Sequence, residues 1–325
     1  MNNKVLLIDT VHEIIPEKLK KSGFTVAEAY KESKIEIQKF ISEYCGIVIR
    51  SRFNIDKEFI DCAKNLKFIA RVGAGMESID TDYCNKKGIV CLNSPEGNRD
   101  AVGEHAVAML LSLLNNLPKA NKEMKLGIRN REENRGSELG SKVVAIIGYG
   151  NMGSSFAKKL SGFGCKVIAY DKYKKNYSNQ FVKETDYKEI FEKADILSLH
   201  VPLTAETKFL VNSEFIAKFK KPIILINTAR GQVVKTSDLV DALKSEKILA
   251  AGLDVLEYED ASFETTIDLK DNPDFQHLAK SENVILTPHI AGWTYESKTK
   301  LAEILVDKII NLKIWYLTKT LFRLP

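Results

Sequence analysis

Gly148, Gly150 and Gly153 stand at the spacing Gly-x-Gly-x-x-Gly directly after the apolar run Val143 to Ile147. The chemistry this pattern serves is the cradling of a pyrophosphate. The first glycine makes a tight turn, the second lets the backbone approach the phosphates, and the third lets the next helix pack closely, with its N-terminus under the phosphates. Asn151 and Met152, inside the fingerprint, are cofactor contacts on the same reading. A second apolar run, Lys166 to Tyr170, delivers Asp171 18 residues past the last glycine, where a carboxylate accepts hydrogen bonds from an adenosine ribose. A 2′-phosphate would sit against that carboxylate, so Asp171 predicts NAD over NADP, with Lys172, Lys174 and Lys175 blunting the preference.

Three later loops follow apolar strands: Asn227-Thr228-Ala229-Arg230-Gly231, the stretch Gly252 to Glu259, and Thr287-Pro288-His289-Ile290-Ala291-Gly292. In an open parallel sheet such loops line the ligand crevice. They hold what hydride exchange with a 2-hydroxy acid requires beside a nicotinamide: a cation for the carboxylate, a base for the hydroxyl proton, and a group that orients the base. Arg230, a planar guanidinium beside a glycine at a strand end, suits bidentate carboxylate binding; the bland alternative is a helix cap or surface ion pair. His289 follows a proline-set turn and is either a structural histidine or the acid/base, its charged form favoured by a carboxylate neighbour. Glu257 and Glu259 compete for that neighbouring role. His12, His105, His200 and His277 show no metal-ligand spacing and read as structural or peripheral, so no metal is expected.

Two stretches nearer the N-terminus suit an anionic substrate. Arg71-Val72-Gly73-Ala74-Gly75-Met76-Glu77 leaves a strand, and its glycines let bare N–H groups point at an anion, unless the stretch is a plain turn. In Ile49-Arg50-Ser51-Arg52 the two arginines fall on one side of an extended segment. Such a pair can grip a phosphate, with Arg99 adding to the field, or can be two solvated side chains.

The elements that must position these residues alternate as short apolar strands and amphipathic helices, the pattern of an α/β protein with parallel sheets. At 325 residues the chain exceeds what one core usually serves. Strands near Val5 to Ile8, Thr25 to Ala27, Gly46 to Ile49, Phe68 to Arg71 and Val90 to Leu92 make a small sheet. The turn-forming stretch Leu92 to Asn98 ends that series, and an apolar helix follows from about Asp100 to Leu117. Six further strands, near Val143, Val167, Ile196, Ile223, Leu249 and Val284, make a dinucleotide-binding sheet. A long helix from about Thr294 can return to the first domain. The expected architecture is two doubly wound parallel-sheet domains: a Rossmann dinucleotide-binding domain over 99–292, inserted into a flavodoxin-like substrate domain of 1–98 plus 293–325, with a cleft between them.

Composition narrows the partners. A net charge of +5 from interspersed lysine, arginine, aspartate and glutamate argues against a nucleic-acid binder. Cys45, Cys62, Cys84, Cys91 and Cys165 are scattered, odd in number and without a Cys-x-x-Cys pair, as in a cytoplasmic protein with reduced thiols. No apolar run approaches a membrane span, and the run Ile309 to Leu321, interrupted by Lys313 and Lys319, reads as a packed helix end.

The chain resembles the D-isomer-specific 2-hydroxyacid dehydrogenases over nearly its whole length. The resemblance rests on Gly148 to Gly153, His200-Val201-Pro202-Leu203-Thr204, the three loops above, and Asn98 with Val102-Gly103-Glu104-His105. It implies an NAD-dependent oxidoreductase with Arg230 as catalytic arginine, Glu259 rather than Glu257 as orienting glutamate, and His289 as acid/base. It further implies cofactor contacts from Val201, Pro202, Thr228, Ala229, Asp254 and Gly292, and substrate contacts from Ala74, Gly75 and Asn98. The Arg-Ser-Arg of Arg50 and Arg52 is similar to that of phosphoglycerate dehydrogenases, which points to 3-phosphoglycerate. Glyoxylate or hydroxypyruvate reduction is the enzymatic alternative, and an NAD-sensing corepressor-like protein is the alternative of another class. The family's twofold dimer predicts a homodimer through the segment from Asp100 to Asn134. The pattern departs from the family at Asp260, where a proline is usual, and in the long stretch containing Phe263 and Phe275. With no regulatory domain after residue 325, serine feedback is not expected.

Overall fold

The computed structural model describes residues 2–259 and 269–321. Asp260 and Phe263 lie outside the described residues, as do the side chains of residues 313–321, so the expected packing of the run from Ile309 is described only as far as Leu312. The described residues form two compact units, one from 2–98 and 294–321, the other from 99–259 and 269–293.

The first unit runs β1 (Lys4–Leu7), α1 (Ile14–Lys21), β2 (Thr25–Glu28), α2 (Lys34–Phe40), β3 (Gly46–Ile49), α3 (Lys57–Cys62), β4 (Phe68–Arg71), α4 (Thr81–Lys86) and β5 (Val90–Leu92). Its strands pair in parallel in the order β2-β1-β3-β4-β5, the flavodoxin-like doubly wound order. Strands β3 and β4 are buried at every position because helices cover both faces of the sheet, and this is why they read as unbroken apolar runs. Leu6, Ile47 and Ile69 pack with Ile37 and Phe59 on one face. Val5, Leu7, Val48 and Phe68 pack with Leu19, Ala302, Leu305, Val306 and Ile309 on the other.

The second unit continues with α5 (Arg99–Leu114), α6 (Leu117–Lys125), β6 (Val143–Ile147), α7 (Asn151–Leu160), β7 (Lys166–Tyr170), β8 (Lys183–Glu184), α8 (Tyr187–Lys193), β9 (Ile196–Leu199), α9 (Ser213–Ala217), β10 (Ile223–Asn227), α10 (Thr236–Lys244), β11 (Ile248–Leu253), α11 (Pro273–Lys280) and β12 (Val284–Leu286). Helix α12 (Tyr295–Leu321) then returns to the first unit. The sheet order β12-β11-β10-β9-β6-β7-β8 is that of a Rossmann sheet with one added edge strand.

Three expectations need correction. Among the described residues the second unit's sheet has seven strands, one more than expected, because β8, a polar pair of residues bonded to β7 at Ile168 and Ala169, is too short to show a period. The apolar helix ends at Leu114 rather than Leu117. Asn116 takes a left-handed φ of 50°, which asparagine tolerates, and Pro118 cannot continue the preceding helix. Trp293 belongs to the second unit, its N–H bonded to the Ile290 carbonyl at 2.9 Å, so the boundary falls after it rather than before.

His200 follows β9 with Nε2 2.8 Å from Ser198 Oγ and its ring against Phe156, while Nδ1 is enclosed without a partner among the described residues. Burial pushes its pKa down to about 3 from an ordinary 6.5. The folded ring therefore stays neutral while the unfolded ring takes up a proton below about pH 6.5, so stability is full above that pH and falls as the pH drops toward 3. Between pH 7 and pH 5 this residue is expected to remove up to about 2 kcal/mol of unfolding free energy. Urea titrations should show His200→Gln flattening the pH dependence by that amount, and an unchanged slope would disprove the assignment.

Candidate active site

Backbone packing shapes the glycine turn. Gly148 has a φ of +92°, and a Cβ there would stand 2.4 Å from the His200 carbonyl oxygen and 2.9 Å from Val201 Cγ1. A Cβ on Gly153 would stand 2.1 Å from the Gly148 carbonyl oxygen. Around Gly150 no heavy atom lies within 4 Å of the same position, so open space faces the first turn of α7, which begins at Asn151 and Met152. Gly150 is the N-cap and supplies no side-chain cap, which leaves first-turn N–H groups for an anion.

Asp171 closes the other side of this turn. Its Oδ2 accepts the Tyr149 N–H at 2.8 Å, and its Oδ1 accepts those of Tyr173 and Lys174 at 2.9 Å. Burial opposes ionisation, but these three N–H groups and the Lys174 charge outweigh it and hold the carboxyl below its usual range. Lys174 Nζ is bonded to the Tyr149 carbonyl and Lys172 pairs with Glu206, so both lysines have protein partners. Thr228 and Ala229 are buried at the carboxyl end of β10, and Thr228 Oγ1 has no hydrogen-bond partner among the described residues. The open glycine cradle, the Asp171 carboxylate beside it and the Thr228 hydroxyl fit a dinucleotide, whose pyrophosphate would rest on residues 150–153 and whose adenosine ribose would meet Asp171.

Arg230 follows in extended conformation. Asn227 holds the turn through Nδ2 to the Arg230 carbonyl at 3.0 Å and through Oδ1 from the Ala229 N–H at 3.1 Å. The guanidinium Nη1 donates to the Ala229 carbonyl at 2.6 Å. A Cβ on Gly231 would stand 1.8 Å from the Leu256 carbonyl oxygen, so the arginine loop lies directly against the loop carrying the glutamates. There Glu259 accepts the Leu256 N–H on Oε1 at 2.8 Å and meets His289 Nδ1 with Oε2 at 2.9 Å. Glu257 instead accepts the Thr236 N–H at the start of α10, at 2.7 Å. With Nδ1 directed at Glu259, Nε2 is the His289 nitrogen that would exchange a proton with a ligand.

His289 has a φ of 55°, a left-handed conformation that costs a non-glycine residue on the order of 1 to 3 kcal/mol and must be held in place. Its N–H donates to the Asp254 carbonyl at 2.8 Å and to the Thr287 carbonyl at 3.0 Å. Asp254, which the family resemblance makes a nucleotide contact, has a side chain that is 0% exposed and serves the histidine loop. Oδ1 accepts from Thr287 Oγ1 at 2.6 Å and from the Ile290 N–H at 2.8 Å, and Oδ2 from the Ala291 N–H at 2.8 Å. Gly292 follows Ala291 in the same loop. Asn227 and Thr287 were legible only as members of motifs, because their roles depend on atoms brought together by the sheet.

In the first unit Arg52, one of the two paired arginines, bonds to the backbone. Its Nη1 donates to the carbonyls of Ile8 at 2.9 Å and Ala29 at 2.7 Å, and Nη2 to that of Glu32 at 2.7 Å. Carbonyls left over at the ends of β1 and β2 need a donor, and this guanidinium clamps them. The Arg50 N–H donates to Asp9 at 2.5 Å, and its carbonyl accepts from Arg71 Nε at 3.1 Å. Ala74 and Gly75 lie after β4, where the Ala74 carbonyl accepts from Asn93 Nδ2 at 2.6 Å. Asn98 Oδ1 is buried without a partner among the described residues.

Residues 107–291 match the model of the D-isomer specific 2-hydroxyacid dehydrogenase NAD-binding domain. The hydroxypyruvate reductase of Thermotoga maritima is 37% identical over 278 residues, which cover 86% of this chain and 88% of that protein. The D-3-phosphoglycerate dehydrogenase of Archaeoglobus fulgidus is 35% identical over 311 residues, covering 95% of this chain and 57% of that protein. The chain thus spans little more than half the length of several phosphoglycerate dehydrogenases it matches. Among solved structures, the D-lactate dehydrogenase of Aquifex aeolicus complexed with NAD and lactic acid is 30% identical, with a TM-score of 0.79 over 98% of this chain and 96% of that one. The glycine cradle, the buried aspartate loop and these matches together show that the chain belongs to the D-isomer specific 2-hydroxyacid dehydrogenase family and carries its NAD-binding domain.

Proposed function

We propose that this protein is an NAD-dependent dehydrogenase interconverting a D-2-hydroxy acid and its 2-oxo acid, with a short unphosphorylated substrate such as hydroxypyruvate or glyoxylate. The observation that carries the reading is the Glu259–His289 pair at 2.9 Å, with the Glu259 loop packed against that of Arg230. NAD, when bound, supplies the nicotinamide that takes up or gives the hydride. Arg230 binds the substrate carboxylate through its guanidinium fork and sets positive charge beside the 2-oxo group. During reduction His289 gives its Nε2 proton to the carbonyl oxygen, and during oxidation it takes that proton back from the hydroxyl. Glu259 holds the ring by Nδ1 and stabilises the imidazolium.

The commitment of Arg52 to three backbone carbonyls favours the unphosphorylated substrate. Similarity to D-3-phosphoglycerate dehydrogenases supports 3-phosphoglycerate as the second reading. Segment 117–128 carries Leu117, Met124, Leu126 and Ile128 with 54%, 61%, 67% and 49% of their surfaces exposed, which suits burial against a second copy in a homodimer.

A spectrophotometric screen should show hydroxypyruvate or glyoxylate reduced faster than 3-phosphohydroxypyruvate, and with NADH over NADPH. In the same assay His289→Ala is expected to lower kcat by about a hundredfold or more while NADH binding persists. NADH binding without turnover of any 2-oxo acid would favour a nucleotide-sensing protein instead. Arg52→Ala is expected to cost about 2 to 3 kcal/mol of stability and to lower kcat/KM equally for hydroxypyruvate and its phosphate. A loss of tenfold or more confined to the phosphorylated substrate would reinstate the phosphate grip. Sedimentation velocity at micromolar concentration should show a dimer that Leu126→Glu weakens, and a monomeric unmodified protein would reject that assembly.

A further inference from the structure

We propose that His105, on α5, is a positioning residue for His289: its Nε2–H holds the Thr287 hydroxyl and, through Thr287 and Asp254, fixes the loop that presents the imidazole. The proposal rests on the reading of His289 as the acid/base. Nε2 of His105 lies 3.1 Å from Thr287 Oγ1 and 3.6 Å from Asp254 Oδ1. A hydroxyl has a single proton, and Thr287 spends it on the Asp254 carboxylate at 2.6 Å. Thr287 Oγ1 must then accept from His105, which requires the proton on Nε2 of that ring. His105, Thr287 and Asp254 form a directional chain, His105 to Thr287 to Asp254. The aspartate in turn takes the N–H groups of Ile290 and Ala291, and its carbonyl takes that of His289.

The packing of α5 on the sheet explains why the helix delivers a histidine at this height. A Cβ on Gly252 would stand 3.2 Å from Met109 Cβ and 2.9 Å from Ile226 Cδ1, so glycine lets the helix rest directly on β11. His105 precedes Met109 by four residues, one turn on the same face of the helix, or about 6 Å. Asp254 lies two residues past Gly252 along the strand direction, or about 7 Å. The two displacements match, and the helix contact at Gly252 sets the contact at Asp254. Nothing in this arrangement brings His105 to the reacting atoms, so its effect passes through the loop.

Four variants test the chain of bonds: His105→Leu removes the donor and His105→Gln retains one, while Thr287→Val breaks the middle and Thr287→Ser restores it. The direct readout is the downfield proton NMR resonance of His289 Nδ1–H bonded to Glu259, assigned by its loss in Glu259→Gln. The resonance should persist in His105→Gln and Thr287→Ser and broaden or shift in His105→Leu and Thr287→Val. With NADH and hydroxypyruvate, the two disruptive variants should lose about tenfold in kcat, with the KM for NADH within about twofold of the unmodified value. The conservative variants should recover most of that loss. A His105→Leu protein with unchanged resonance and kcat would overturn the proposal, as would equal losses in His105→Leu and His105→Gln. If His105→Leu does not fold, the Thr287 pair decides by the same criteria. Failure of the unmodified protein to reduce any 2-oxo acid counts against the oxidoreductase reading, while the resonance still decides the positioning role.

Discussion

A carboxylate with no exposure to water must find its compensation inside the protein, and Asp254 finds it in the loop that carries His289. Two backbone N–H groups and one hydroxyl converge on its oxygens. The desolvation cost of the charge thereby becomes a constraint on the conformation of residues 287–291. The left-handed backbone of His289 persists under this constraint, and the imidazole is turned so that Nδ1 meets Glu259. Removing the aspartate would leave three donors without acceptors and a strained residue without support.

Close backbone contact is the second device that orders this unit. Gly148, Gly153 and Gly231 each occupy a place where a Cβ would strike a main-chain oxygen at 2.4 Å or less. The first two bring strand, turn and helix together around the space beside Gly150. The third seats the arginine loop on the glutamate loop. Charge and proton-carrying groups on three different strand ends are thereby held by the main chain, which moves less than side chains do.

The two arginines Arg52 and Arg230 occupy different places in the fold. Arg52 gives three hydrogen bonds to carbonyls of the first unit, a use that follows from the scarcity of donors where β1 and β2 end. Arg230 sits at the carboxyl end of a parallel strand, where the architecture places ligands. Both stand in short polar stretches after apolar strands, and that local pattern does not tell the two uses apart.

Both parallel sheets were legible in the sequence because buried parallel strands are unbroken apolar runs, and Gly148 to Gly153 declared the nucleotide turn through spacing alone. The polar stretches that follow three apolar strands likewise marked the loops of Arg230, Glu259 and His289 as candidates, and the family resemblance gave those residues their roles. Spacing carried no information about Asp254, Thr287 and His105, which lie far apart in the chain and meet because Gly252 lets α5 rest on β11. Nor could it separate Glu257 from Glu259 on chemistry alone, since which carboxylate reaches His289 depends on which one the start of α10 has already taken. The sequence by itself determined the order of the strands' apolar runs and the kinds of chemical groups at their ends, because those depend on local pattern. Only the tertiary structure decided which of those groups spend their hydrogen bonds on the scaffold and which meet one another, because that depends on partners distant in sequence.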